Sequence, residues 1–282
     1  MILEKKIVNA IIRFGLHETL PRVTNFIAKK RMDPYFFIIG FQKAGTTSIY
    51  NQLMDLPIFV KGIGKEIAEL AKENPNKDYF KLFFPKKNNN YKTGNASHLD
   101  IYSPYGVLNI KKYFPSSKLI VILRNPTERA YSHFLMDKKF GWIGKDVSFE
   151  DYIDFEIKIL ENVDISSVHD LYSNTKWLNL PFGMTVGKGI YVSYIKFLAE
   201  KKIDFHLTCL EKYEMDFEFE FQKILNYLEL DNLSSSTMKM IHSNQSSSNE
   251  PMSKKAKEKL DSFYSNYNQE LFSLIGDKFP WF

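Results

Sequence analysis

Two unbroken apolar runs stand out along this chain, at residues 36–39 (Phe-Phe-Ile-Ile) and 119–123 (Leu-Ile-Val-Ile-Leu), with a more mixed one at 205–210. A short run that does not alternate with polar residues suits a strand covered on both faces, as in the middle of a parallel sheet. Around these runs the apolar positions recur every three or four residues. Ile49, Leu53 and Leu56 share one face of a helix that starts at Thr46. Further helices are expected from Ser103-Pro104 to Tyr113, from Pro126 onward, and over 149–160, 191–201, 217–228 and 253–275, the last closing near Gly276. Proline suits the first turn of a helix and glycine the position just past its end. A short strand is expected at 58–60, after Pro57, and polar or irregular segments at 85–95, 162–187 and 231–251. Strands alternating with helices predict an α/β fold, a doubly wound parallel sheet flanked by helices in a single domain, with its ligand at the carboxyl ends of the strands.

Residues 3–30 read as a basic amphipathic helix interrupted near Pro21, with Ile7, Ile11 and Phe14 on one face and Lys5, Lys6 and Arg13 elsewhere. We therefore divide the chain into an N-terminal helical segment, 1–33, and a main domain, 34–282. Packing on that domain is the preferred reading of the segment, and peripheral contact with a membrane surface the alternative. The composition changes the picture only slightly. A net charge of +5 and a pI near 8.9 favour an anionic ligand without the clustered basic face expected of a nucleic-acid-binding protein. Cys209 is the only cysteine, so no intrachain disulfide forms, and a reducing, cytoplasmic setting is expected. No H-E-x-x-H or paired-cysteine spacing occurs, and no metal site is expected. No apolar stretch approaches membrane-spanning length, and no signal peptide is read at the N-terminus.

The candidate chemistry begins where the first run ends. Gly40 to Gly45 form a glycine-bounded loop that leads into the helix at Thr46. Strand, tight loop and helix N-terminus together leave unpaired main-chain N–H groups pointing at an anion. Lys43 adds a cation, and Thr46, Thr47 and Ser48 add hydroxyls. The loop differs from the G-x-x-x-x-G-K-[ST] triphosphate loop, because its lysine precedes the second glycine and Thr46 stands where that lysine would be. The second run ends in Arg124, where a triphosphatase would carry a metal-binding carboxylate. If the Asn125-Pro126 turn folds back, Arg124 and Ser132 can serve a second phosphate.

The loop FQKAGTTS followed by RNPTERAYSHF resembles the sulfotransferases that use 3′-phosphoadenosine 5′-phosphosulfate (PAPS). The likeness is greater to the bacterial and Golgi carbohydrate branch that includes the heparan sulfate enzymes. It spans about residues 34–282 and includes the stretch from Asn249 to Phe282. The resemblance implies a P-loop, nucleotide-kinase-like fold and transfer of a sulfo group to a glycan or glycolipid hydroxyl or amine, without a metal. It implies that Lys43, Ala44, Gly45, Thr46, Thr47 and Ser48 hold the 5′-phosphosulfate, and Arg124 and Ser132 the 3′-phosphate. It also implies that Glu66, preceded by Lys65, is the general base. The chain departs from the family's Gly-Glu-x-[ST]-Pro segment, reading Gly94-Asn95-Ala96-Ser97-His98. His98 is the second candidate base, because a histidine serves in the cytosolic branch. The lysine-glycine segment that holds the 3′-phosphate in some relatives is not evident, and the 242–251 loop is expected to stand in for it. The segments 61–92 and 140–182 are candidates to line a sugar cleft. A P-loop kinase of a small metabolite and a non-catalytic nucleotide-binding protein are the competing readings. A bacterial enzyme in the cytoplasm, associated at most peripherally with the inner membrane surface, is the expected setting.

Overall fold

The computed structural model describes residues 2–162, 185–233 and 251–281. Helices α1 (Ile2–Phe14) and α2 (Pro21–Ala28) lead into strand β1 (Phe36–Ile38) and helix α3 (Thr46–Met54). Helix α4 (Lys77–Lys81), strand β2 (Gly94–Ala96), and helices α5 (Leu99–Tyr102) and α6 (Gly106–Tyr113) follow. Strand β3 (Lys118–Leu123) then runs into α7 (Pro126–Lys139) and α8 (Phe149–Leu160). The chain continues through α9 (Tyr191–Glu200), β4 (His206–Cys209), α10 (Leu210–Met215), α11 (Phe217–Tyr227) and α12 (Lys254–Ile275). The strands form a parallel sheet in the order β2-β1-β3-β4, the α/β architecture expected from the apolar runs. The 242–251 loop, most of the 162–187 and 231–251 segments and much of the 140–182 stretch lie outside the described residues.

The chain divides into two compact units, residues 1–39 with 49–119, and residues 40–48 with 120–282. In the first unit Phe37 packs on Phe80 and Phe114, and the rings of Phe80 and Phe84 lie 5.0 Å apart. Val8, Ile11, Ile27 and Ala28 cluster with Leu82, so one face of α1 and one of α2 are used for packing. Two local expectations fail here. Residues 58–60 form no strand of the sheet, and only Phe59 makes an isolated bridge, to Lys92. The pairing goes instead to Gly94-Asn95-Ala96, which lies in register beside Phe36 to Ile38. A Gly-Asn-Ala segment has little intrinsic strand preference, and its pairing is a tertiary choice.

In the second unit β3 is buried from Leu119 to Leu123 and pairs with β4, Ile120 opposite His206 through Leu123 opposite Cys209. Helix α7 starts as its sequence requires. The Asn125 side chain accepts hydrogen bonds from the Thr127 and Glu128 N–H groups, with Pro126 in the first turn. Helix α12 is capped by Ser253 at its start and closed by Gly276 at φ +67°. Phe41, at the root of the glycine loop, packs on Tyr191 and Tyr194 of α9 at 4.5 and 5.2 Å.

Candidate active site

The glycine loop belongs to the second unit, and its shape follows from contacts it cannot avoid. A Cβ on Gly40 would lie 2.7 Å from the Ile122 nitrogen and 2.8 Å from its oxygen. Only glycine permits this approach of loop to β3, which the Phe41 N–H seals by donating to the Ile122 carbonyl at 3.3 Å. Lys43 and Gly45 both take left-handed backbone, φ +68° and +88°. For lysine that conformation costs roughly 1–3 kcal/mol and persists only where the surroundings hold it. Steps of this kind build concave arrays of main-chain N–H groups that suit anions, and here the array runs into the N-terminus of α3. Thr46 is buried, while Thr47 and Ser48 are partly exposed on the first turn.

Arg124 supports the strained residue directly, donating from Nη1 to the Lys43 carbonyl at 3.1 Å. Its own carbonyl accepts from the Tyr191 hydroxyl at 2.7 Å. One guanidinium donor is thereby used, out of the five that an arginine carries. The loop lysine and the strand-end arginine are therefore brought together. Ser132 stands half-buried in the middle of α7 and makes no hydrogen bond to either among the described residues.

Beneath the loop lies a charged layer that the sequence reading did not single out. Arg129 is fully buried and donates to the carbonyls of Gln42 and Thr185. Lys188 Nζ donates to the Gln42 Oε1 at 3.3 Å. Asp137 shares an α7 face with His133, whose Nε2 lies 3.5 Å from Oδ2. Glu156, buried on α8, accepts from the Val186 and Gly187 N–H groups, each at 2.8 Å. Burial raises the Asp137 carboxyl to about 6, against the pull of Lys188, Lys43 and Arg129. Burial, reinforced by Arg129, lowers Lys188 to about 8. Lys43 is lowered by burial and then by Arg124. Each cation is thus held in a poorly solvated place where an incoming anion would relieve it. The available signal was the i, i+4 spacing of Arg129, His133 and Asp137, a polar stripe along one helical face.

The second group of candidates lies in the first unit. Glu66 also takes left-handed backbone, φ +60°, and its N–H donates to the Ala96 carbonyl at 2.8 Å. Its Oε1 accepts from Lys65 Nζ at 2.9 Å. Its Oε2 meets both His98 Nδ1, at 2.8 Å, and the His98 main-chain N–H, at 3.2 Å. Burial would raise this carboxyl, but the bonds from His98 and Lys65 win and hold it at about 2. The two candidate bases are therefore one hydrogen-bonded pair. In it the carboxylate fixes the imidazole by Nδ1, leaving Nε2 as the nitrogen outside the contact. Next to the pair, Asn95, Ser97 and Asp100 are buried with side-chain polar atoms that find no partner among the described residues. Burial, and then the Glu66 charge, push the Asp100 carboxyl well above its usual range.

The sulfotransferase domain family matches residues 33–273. The chain is similar to mouse carbohydrate sulfotransferase 15, 25% identical over 88% of this chain and 54% of that protein. The human counterpart is 24% identical over the same shares. The chain thus spans about half the length of the curated relatives it matches. A sulfotransferase from Alicyclobacillus acidocaldarius shares the fold, with a TM-score of 0.64 and 19% identity over 88% of this chain and 98% of that one.

Proposed function

The chain belongs to the sulfotransferase family, and from that premise we propose that it moves the sulfo group of PAPS to a hydroxyl or amine of a glycan or glycolipid. The observation that carries this reading is the bond from Arg124 to the Lys43 carbonyl, which joins two cations and a left-handed loop at a helix N-terminus. That donor set fits a phosphosulfate. Main-chain N–H groups and the Thr46, Thr47 and Ser48 hydroxyls would hold its oxygens, along with the main chain of Ala44 and Gly45. Lys43 would stabilise negative charge on the bridging oxygen as its bond to sulfur breaks. Arg124 and Ser132 would take the 3′-phosphate.

The acceptor must lose a proton as its oxygen or nitrogen bonds to sulfur. We assign that proton to His98 Nε2, with Glu66 as the group that orients the ring and stabilises the imidazolium formed. Two features support the assignment over Glu66 as the base. Both Glu66 oxygens are already accepting hydrogen bonds, and a carboxyl held at about 2 has little affinity for a proton near neutrality. We further propose a reducing cytoplasmic setting in a bacterial source, a reading supported only by Cys209 being the single cysteine of the chain.

The test is calorimetric titration with 3′-phosphoadenosine 5′-phosphate, with and without Mg²⁺, against ATP. Tight binding that does not need the metal and collapses in Arg124→Ala is expected. A preference for Mg·ATP would bring a kinase forward. Nucleotide binding without transfer to any glycan in a broad panel would indicate a non-catalytic nucleotide-binding protein.

A further inference from the structure

Helix α2 packs with only one of its faces. Thr24, Ile27 and Ala28 are buried, whereas Arg22, Val23 and Phe26 are exposed on the other side, followed by Lys29 and Lys30. The spacing from Arg22 and Val23 to Phe26, and from Phe26 to Lys30, keeps these residues on neighbouring rows of the helix surface. Phe26 is 61% exposed and Val23 38%. The segment entering α2 adds Leu20, 40% exposed, and α1 ends in Phe14, 66% exposed. Cations accompany these apolar groups. Lys30 Nζ lies 3.8 Å from the Phe26 ring centroid, and the Arg13 guanidinium is 5.5 Å from that of Phe14. Lys5 and Lys6 are exposed on α1, while Glu4 is engaged by Arg31 and Lys86. Glu18 is the one exposed acid between residues 4 and 30.

Isolated exposed apolar residues need no explanation, but large ones at helical spacing, with a cation over each of the two aromatic rings, differ from a solvated face. An aromatic ring with a cation over it suits the boundary between headgroups and acyl chains: the ring enters and the cation stays among the phosphates. We propose that the outer face of α2, with Leu20 and Phe14, docks on an anionic lipid surface. The packed and the membrane-facing readings of residues 3–30 are then both true, of opposite faces. Charge complementarity decides the occupant. A second copy of this chain would bring the same excess of Arg and Lys against itself, whereas acidic headgroups neutralise it. The inference does not depend on the sulfo-transfer reading, and its test uses no nucleotide or activity.

The experiment is flotation of the full chain with phosphatidylcholine vesicles, with and without phosphatidylserine, at low and high salt. Binding to the anionic vesicles that weakens with salt is expected. Val23→Ser with Phe26→Ser should reduce that binding at least tenfold, and Lys29→Glu with Lys30→Glu comparably. Thermal unfolding and light scattering check that the variants remain folded and unaggregated, as the exposure of these side chains leads one to expect. Absence of binding at low salt would overturn the proposal, as would equal binding to neutral vesicles or binding unchanged in both variants. Self-association of the wild type that disappears in the Phe26 variant would assign the face to a second copy instead.

Discussion

Removing the imidazole of His98 separates the two possible proton acceptors. General-base catalysis contributes about 10²–10⁴-fold, equivalent to roughly 2.7–5.5 kcal/mol of barrier. His98→Gln should lower kcat/KM by that factor while leaving affinity for 3′-phosphoadenosine 5′-phosphate within about twofold of the wild type, since the substitution removes a proton acceptor from the acceptor side only. The pH dependence carries the sharper information. A base acts in its unprotonated form, so the rate falls as pH falls through its titration. With the Glu66 carboxyl at about 2, a Glu66 base would be fully ionised from pH 4 upward, and the rate would be flat from there to neutrality. A base that takes up its proton within the assayed range instead gives an acid limb of slope one. Among the described residues Glu66 and Tyr102 meet the ring, while Lys65 and Asp100 act on Glu66, and the profile is to be repeated in Glu66→Gln. That variant retains an acceptor for Nδ1–H and loses the charge, so the limb should persist at reduced rate. Initial rates of nucleotide product formation over a glycan panel provide the assay. ¹⁵N spectra of the histidines, which should show a protonated Nδ1 in the neutral ring, provide a readout free of turnover. A flat profile down to pH 4, together with a His98→Gln loss below threefold and a Glu66→Gln loss above a hundredfold, would return the role to Glu66.

Three further outcomes follow from the donor side and from the pair itself. An anion bound at the loop raises the proton affinity of Lys188, which stands near 8 in the free protein, so binding 3′-phosphoadenosine 5′-phosphate at pH 8 should take up protons. Calorimetry in buffers of different ionisation enthalpy measures the uptake, and Lys188→Met should reduce it. Gly40→Ala forces a methyl group against the Ile122 backbone and should cost roughly 1–3 kcal/mol of stability, read as a lower denaturation midpoint. Because the folded Glu66 carboxyl sits below its unfolded value, the pair's contribution to stability is present above about pH 4.5 and is lost as pH falls toward 2. Denaturation midpoints over that range should lose part of their pH dependence in Glu66→Gln.

The stretches that carry main-chain chemistry were legible without coordinates. An unbroken apolar run ending in glycine, then lysine and three hydroxyls, announces strand, tight loop and helix, because each step depends on local backbone and burial preferences. The run at 119–123 and its terminal arginine were equally plain, as was the capped start of α7 at Asn125-Pro126. The single parallel sheet follows from the alternation of such runs with helices. What stayed hidden was everything that depends on partners distant in sequence. Gly94-Asn95-Ala96 has no preference to declare as a strand and becomes one only beside Phe36 to Ile38. Arg129, Asp137, Glu156 and Lys188 resemble ordinary charged residues of helices and turns until burial places them under the loop, where desolvation shifts their proton affinities. Glu66 and His98 were each legible as candidate bases, and the sequence left them as rivals. Their pairing is a tertiary fact. It comes from a left-handed turn at Glu66, anchored to Ala96, that turns one carboxylate oxygen toward both the main chain and the ring of His98.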